Sequence, residues 1–158
     1  METNEFFNHV REGNLSAIET MLESAPQLLS SRDQRGSTPL ILAGYYNQED
    51  VVRFLLEKGV PVDEKDSSGN TALMGACFKG YPEIAEILID AGANINARNG
   101  MGGTCLIFAV TFNRESIVRL LLSKGADTRA VDPGGKTALD HARMQGLDTL
   151  IPLLEGKT

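Results

Sequence analysis

A repeat of 33 residues is the feature that most restricts what this 158-residue chain can fold into. Five positions recur at that step: an Asp or Asn, then a Gly, a Thr, a Leu and an Ala. These residues are Asp33, Asp66, Asn99 and Asp132; Gly36, Gly69, Gly102 and Gly135; Thr38, Thr71, Thr104 and Thr137; Leu40, Leu73, Leu106 and Leu139; and Ala43, Ala76, Ala109 and Ala142. Such a period is typical of a solenoid, in which each unit buries its apolar face against its neighbours.

Each unit predicts a turn followed by two short helices. Residues 33–36 form a turn signal, Thr38 is a natural helix N-cap, and Pro39 suits the first helical position. The apolar residues of segment 51–56 have helical spacing, and Gly59 follows where a left-handed helix end is expected. Helices of about ten residues are marginal in isolation, so they must pack against the next unit.

The repeated segments carry a family resemblance. Thr38-Pro39-Leu40-Ile41-Leu42-Ala43, Thr104-Cys105-Leu106-Ile107-Phe108-Ala109 and Leu55-Leu56-Glu57-Lys58-Gly59 resemble the ankyrin repeat. The resemblance implies an all-α solenoid of helix-turn-helix units joined by β-hairpin-like turns. One departure is systematic, because the family's usual histidine in the first helix is replaced by Ile41, Met74, Ile107 and Asp140.

We expect a single domain over residues 1–158. Its predicted units are an N-terminal capping repeat (1–32), three full repeats (33–65, 66–98 and 99–131) and a C-terminal capping repeat (132–158). The last predicted helix contains Pro152, which a helix tolerates only in its first turn.

Composition excludes several classes of protein. A net charge of −6 argues against broad binding to nucleic acid or anionic membranes. The acidic start of the chain lacks the basic and apolar regions of a signal peptide. Cys77 and Cys105 indicate free thiols in a reducing compartment, so we expect a cytoplasmic protein. We also expect a monomer.

The sequence has only weak matches to catalytic, phosphate-binding and metal-binding motifs. We therefore predict a non-enzyme with no cofactor, no catalytic residue and no metal site. Gly134-Gly135-Lys136-Thr137 is similar to the end of a phosphate loop, but Ala130 replaces the required first glycine. His9 and His141 are interpreted as structural. Cys77 and Cys105 are interpreted as small core residues, with a regulatory disulfide or a metal pair as the alternative.

The resemblance also directs attention to Asn96. Its turn segment is similar to one that asparagine hydroxylases modify in animal members of the family. The alternative is a turn asparagine that bonds to the local backbone.

The resemblance implies that partners contact the inner helices and the turn tips. The predicted inner-helix contacts are Tyr45, Tyr46, Phe78, Lys79, Phe112 and Met144. Four basic residues lie before or within the turns, and we call them the basic line: Arg32, Lys65 and Arg98, with Arg35. This line either suits an acidic or phosphorylated segment of the partner or reflects ordinary surface charge.

The function predicted from these features is a module for protein–protein interaction. A structural homo-oligomer is one alternative. An enzyme or small-ligand protein on a borrowed repeat scaffold is another, since the same fold can host several functions.

Overall fold

The structure, a computed structural model, describes residues 2–156. Met1, Lys157 and Thr158, which belong to the predicted capping repeats, lie outside the described residues. The α-helices are α1 (Glu2–Glu12), α2 (Leu15–Ser24), α3 (Pro39–Tyr45), α4 (Glu49–Glu57), α5 (Ala72–Lys79), α6 (Pro82–Asp90), α7 (Cys105–Thr111), α8 (Glu115–Ser123), α9 (Ala138–Gln145) and α10 (Leu150–Glu155), with a 3-10 helix at Pro26–Ser30. The described chain contains no β-strand, which confirms the predicted all-α class.

The helices pack in two rows, as the repeat predicts. Along the inner row, α1 contacts α3, α3 contacts α5, α5 contacts α7, and α7 contacts α9. Along the outer row, α4 contacts α6, α6 contacts α8, and α8 contacts α10. Each inner helix also packs against the outer helix that follows it in the chain. The chain is therefore a solenoid of helix pairs in which packing is between neighbours.

A threonine begins each of the four later inner helices. Its hydroxyl accepts a hydrogen bond from the backbone N–H three residues ahead, which satisfies one of the free donors in the first turn. The pairs are Thr38 with Ile41 (3.1 Å), Thr71 with Met74 (3.3 Å), Thr104 with Ile107 (3.3 Å) and Thr137 with Asp140 (3.1 Å). The predicted N-caps are confirmed, and they explain why threonine recurs at the 33-residue step.

The core repeats at the same step. Leu55, Leu88, Leu121 and Leu154 lie one repeat apart on the outer helices, and each is 0% exposed. The recurring alanines of the inner helices are equally buried, since a small side chain lets adjacent inner helices approach closely. Pro152 is the third residue of α10, within the first turn as predicted.

Four turn segments, which we call fingers, precede the inner helices α3, α5, α7 and α9. They comprise residues 32–37, 65–70, 98–103 and 131–136. One side-chain oxygen closes each finger by accepting two backbone N–H groups. In the first finger, Asp33 Oδ1 accepts from Arg35 and Ser37, both at 2.9 Å. This bonding requires a short side chain with a carbonyl-type oxygen, which explains the recurrence of Asp and Asn.

Backbone hydrogen bonds join the first three fingers side by side. Ser67 N–H donates to Arg35 O at 3.0 Å, and Gly100 N–H donates to Ser68 O at 2.9 Å. The equivalent residue of the fourth finger is Pro133, which has no N–H to donate. The ladder of backbone bonds therefore ends at the third finger.

We expect α10 to exchange its amide hydrogens faster than the inner helix α5. The α10 helix is six residues long, and Thr149 before it makes no side-chain cap. It packs mainly against α8 and α9, whereas α5 has inner neighbours on both sides. Hydrogen exchange read by mass spectrometry measures this difference, and slower exchange in α10 than in α5 would contradict it.

Candidate functional site

The predicted inner-helix contacts lie at the C-terminal ends of α3, α5, α7 and α9, on the side of the fingers. Four of them are well exposed for their size: Tyr45 at 40%, Tyr46 at 45%, Phe112 at 52% and Met144 at 68%. Lys79 is exposed and Phe78 is half-buried. Large apolar side chains at this exposure form a surface that the fold itself does not cover.

The aromatic rings form two clusters along this surface. Tyr45 and Tyr46 meet edge to face, with ring centroids 5.7 Å apart. Phe78 meets Phe112 at 6.0 Å and Phe108 at 4.8 Å in the same geometry. Phe78 also lines one groove with the two tyrosines and another with the two phenylalanines, so it lies between the clusters.

Phe108 was not among the contact residues predicted from the sequence. It precedes the recurring Ala109 at a position where the other repeats have Leu42, Gly75 and His141, so the repeat pattern gave no signal. A signal was nevertheless available, because Phe108 and Phe112 are four residues apart and share one face of a helix. Side chains at this spacing can form one patch.

Tyr45 is held in place by the next repeat. A Cβ built on Gly75 would lie 3.8 Å from Cδ1 of Tyr45, so the ring rests on the glycine. The ammonium of Lys79 lies 5.0 Å from the centre of the same ring, in cation–π geometry. This ring therefore has a fixed orientation before any partner arrives.

Three cations of the basic line bond to the neighbouring finger. Arg32 donates to Lys65 O at 2.7 Å and pairs with the carboxylate of Glu64. Lys65 donates to Arg98 O at 3.0 Å, and Arg98 donates to Val131 O. Arg32, Lys65 and Arg98 therefore help to join the repeats, a role that the sequence analysis did not predict.

Arg35 has a different environment. Its side chain lines an open groove together with Arg11 of α1 and the Tyr45–Tyr46 pair. Arg35 itself lies at the tip of the first finger and is exposed. It is thus placed to meet a charge on a partner.

A larger groove runs between the fingers and the inner helices of the C-terminal half. It encloses about 1080 Å³. Its floor contains Phe78, Phe108, Thr111 and Phe112, and its walls are residues 66–70 and 99–103 of the second and third fingers. Asp132 and His141 close the far end.

Asp132 and His141 form a polar contact of 2.8 Å between the last finger and α9. The backbone N–H of Lys136 and the ring of His141 hold the pKa of the Asp132 carboxyl below its usual value. His9 lies 3.9 Å from Glu5 and 4.0 Å from Glu12 on its own helix. These contacts orient the two histidines within the protein, in keeping with their structural interpretation.

Cys77 and Cys105 are both free and 0% exposed. The hydrogen bond between their thiols, together with burial, raises the pKa of the Cys77 thiol well above its usual value. A thiol with a raised pKa stays protonated near neutral pH, and only the thiolate is a good nucleophile or metal ligand. Cys77 is therefore a buried thiol that stays protonated.

Asn96 has a structural bond to the next repeat. Its Oδ1 accepts from Asp127 N–H at 2.9 Å, and its own N–H donates to Asn94 Oδ1 at 3.0 Å. Asp63, one repeat earlier, accepts from Asn94 N–H in the same way at 3.0 Å. A side-chain oxygen at this position thus links the loops of adjacent units.

Charge divides sharply between the two rows of helices. The outer helices α2, α4, α6, α8 and α10 carry ten carboxylates and two arginines, a net charge of −8. The inner helices α3, α5, α7 and α9 carry a net charge of +1, and α1, at the N-terminal end of the inner row, carries −2. The surface beside the fingers is therefore the side that repels an acidic molecule least.

The 33-residue step, the threonine caps and the row of fingers agree with a known repeat family. A family model described as ankyrin repeats in three copies matches residues 6–99. A second, described as ankyrin repeats in many copies, matches residues 88–142. The chain is an ankyrin-repeat protein. A comparison with curated proteins finds no match to it.

Ankyrin repeats generally serve as modules for protein–protein interaction, and the family is typically a non-enzymatic scaffold. Within residues 2–156 of this ankyrin-repeat protein, every helix is too short or too polar to cross a membrane. Over the same residues, no three His, Cys, Asp or Glu side chains come together in a group that could hold a metal ion.

Proposed function

We propose that this ankyrin-repeat protein binds another protein on its concave surface, which consists of the fingers and the exposed ends of the inner helices. The observation that carries the proposal is the row of aromatic rings beside two grooves, at the ends of α3, α5 and α7, of which Tyr45, Tyr46 and Phe112 are exposed. The contact residues proposed are Tyr45, Tyr46, Phe78, Lys79, Phe112 and Met144, with Arg32, Arg35, Lys65 and Arg98 on or beside the fingers. Aromatic side chains of this kind commonly dominate binding energy at protein interfaces.

The partner's contacting segment is acidic in this proposal. The outer helices carry a net charge of −8, so an acidic segment is favoured on the concave side. Arg35 and Lys79 are exposed there and can meet a carboxylate directly. Arg32, Lys65 and Arg98 contribute positive potential from fixed positions. Such complementarity mainly raises the association rate and makes it depend on salt.

The test begins with affinity capture of a partner from the native host and its identification by mass spectrometry. Truncating Tyr45, Phe78 or Phe112 to alanine should then weaken binding of that partner by about 1–4 kcal/mol each. Glu57→Ala, an exposed change on α4 of the outer row, is the control and should leave affinity nearly unchanged. Retained affinity in the three aromatic variants, with a loss in Glu57→Ala, would place the interface on the opposite face.

A further inference from the structure

The floor of the larger groove has a gap at Thr111. Position 111 is equivalent to Tyr45, Phe78 and Met144 in the other repeats, all of which carry a much larger side chain. The Thr111 hydroxyl donates to Ile107 O at 2.8 Å, so this small side chain is turned back onto its own helix. The repeat that contains Thr111 therefore has the smallest side chain of the four at this position, which leaves a gap in the floor of the groove that a larger side chain would occupy.

From this gap we propose that the protein seats one bulky apolar side chain, Phe, Leu or Met, from an extended acidic segment of a partner protein. The inference rests on the proposed function and adds the chemistry that the partner must present.

The gap is bordered by rings that are already fixed. Phe108 contacts Phe78 with centroids 4.8 Å apart. Its tip also rests on the third finger, since a Cβ on Gly103 would come 2.4 Å from Phe108 Cζ. A preformed apolar pocket loses little ordering entropy on binding.

Asp66, Asn99 and Asp132 in the walls favour an apolar occupant because they already have hydrogen-bond partners. Asp66 Oδ1 accepts from Ser68 and Asn70 N–H, both at 2.9 Å. The Asn99 amide donates to Asn70 Oδ1 at 2.9 Å and accepts from Met101 N–H at 2.9 Å. At the far end, Asp132 is paired with His141. These groups position the walls and hold the fingers in shape.

The charge and shape of the grooves favour an extended acidic segment of a partner protein as the chain that carries the apolar side chain. The groove holds about 1080 Å³, which leaves room for chain on both sides of an anchored residue. Through Phe78 it continues into the groove lined by Arg35, Tyr45 and Tyr46. Three cations line the two grooves, as do three carboxylates, Asp33, Asp66 and Asp132, each of which already accepts hydrogen bonds from its own finger. The outer helices carry a net charge of −8, so an acidic segment is repelled less in the grooves, where it can reach Arg35.

The test selects random peptides displayed on phage against the full chain, and then measures the enriched peptides as synthetic, fluorescently labelled probes. The expected peptides share one Phe, Leu or Met next to acidic residues. Thr111→Tyr, which supplies the side chain found at position 45, should weaken their binding about tenfold or more. Replacing the apolar residue of the peptide by alanine should cause a similar loss, and the two changes together should cost little more.

Thr20→Tyr is the matched control. Thr20 is exposed on α2 of the outer row, and its hydroxyl donates to Ser16 O at 3.0 Å in the same backward manner as Thr111. This variant should bind the peptides like the parent protein. Circular dichroism and thermal melting check the fold, and Thr111→Met, with the side chain of position 144, replaces Thr111→Tyr if the latter does not fold.

The other outcomes overturn the inference in distinguishable ways. If Phe112→Ala weakens binding and Thr111→Tyr does not, the concave surface binds protein but the gap is not the anchor. If neither changes binding, the proposed function fails as well. Selection of no peptide, or of peptides without a shared apolar residue, also refutes the anchor. Self-association that light scattering detects and Thr111→Tyr abolishes would make a second copy the occupant.

Discussion

Replacing Leu88 by alanine should lower the free energy of unfolding by about 2–5 kcal/mol. Leu88 is 0% exposed on α6, and α6 packs between α4 and α8 in the middle of the outer row. The change removes apolar contacts and leaves a cavity that the surrounding helices can fill only in part. Because neighbouring units in a solenoid stabilise each other, a cavity here weakens two interfaces. Chemical denaturation followed by circular dichroism measures the loss.

Glu86→Ala is the control for Leu88→Ala. Glu86 lies on the same helix but is exposed, and alanine is a good helix former, so the change should stay within about 0.5 kcal/mol. Equal losses in the two variants would mean that α6 contributes through its helical propensity and not through its buried face.

Gly69→Ala should destabilise the protein more than Gly59→Ala, although both glycines have φ near +81°. Both variants place a side chain in the left-handed region, which costs about 1–2 kcal/mol. At Gly59 a new Cβ would meet nothing within 4 Å, whereas at Gly69 it would come 2.6 Å from the backbone nitrogen of Gly100. That contact with backbone of the third finger should add about 1–3 kcal/mol, as overpacking does elsewhere.

Both variants have the same cost of left-handed backbone conformation, so the difference between their unfolding free energies reports the packing of the fingers. Denaturation midpoints give the difference in stability. Amide NMR shifts of Gly100, whose N–H donates to Ser68 O at 2.9 Å, should move in Gly69→Ala and stay in Gly59→Ala. Equal stability losses with an undisturbed Gly100 would contradict the close stacking of fingers.

The fold was predictable because the same structural roles recur in every unit. Thr38 and its equivalents cap helices, Asp33 and its equivalents close fingers, and Leu55 and its equivalents fill the core. Each role requires contacts only within a unit or with its neighbours, so the same residue type is suitable at every 33-residue step. Helix order and caps therefore followed from the repeat, and the place of Pro152 in a first turn followed from the restriction that proline imposes on a helix.

The candidate site was predictable only in part. Tyr45, Tyr46 and Phe112 were found because aromatic residues occur at the exposed ends of inner helices. Phe108 was missed although its four-residue spacing from Phe112 gave a signal. Its packing on Phe78 of another helix and on Gly103 of a finger could not be predicted, because those residues lie outside its own helix.

Three residues of the basic line have a structural role that was not predicted. Arg32, Lys65 and Arg98 were interpreted as a surface for a partner, yet their spacing of 33 residues matches a bond between adjacent fingers. Strict periodicity is typical of a residue that contacts the next repeat. The inner-helix position of Tyr45 and Thr111 varies between repeats, as expected of a position that the contact between repeats does not fix.

These bonds also allow repeats to be added, because equivalent donors and acceptors recur in successive units. Arg32 donates to Gly36 O and Lys65 O, and Arg98 donates to the equivalent acceptors one pair of units later, Gly102 O and Val131 O. A duplicated copy of residues 66–98, inserted after Arg98, would offer the same backbone acceptors before it and the same donor after it. Gene duplication can therefore lengthen the solenoid in steps of one unit while these hydrogen bonds between fingers stay in register.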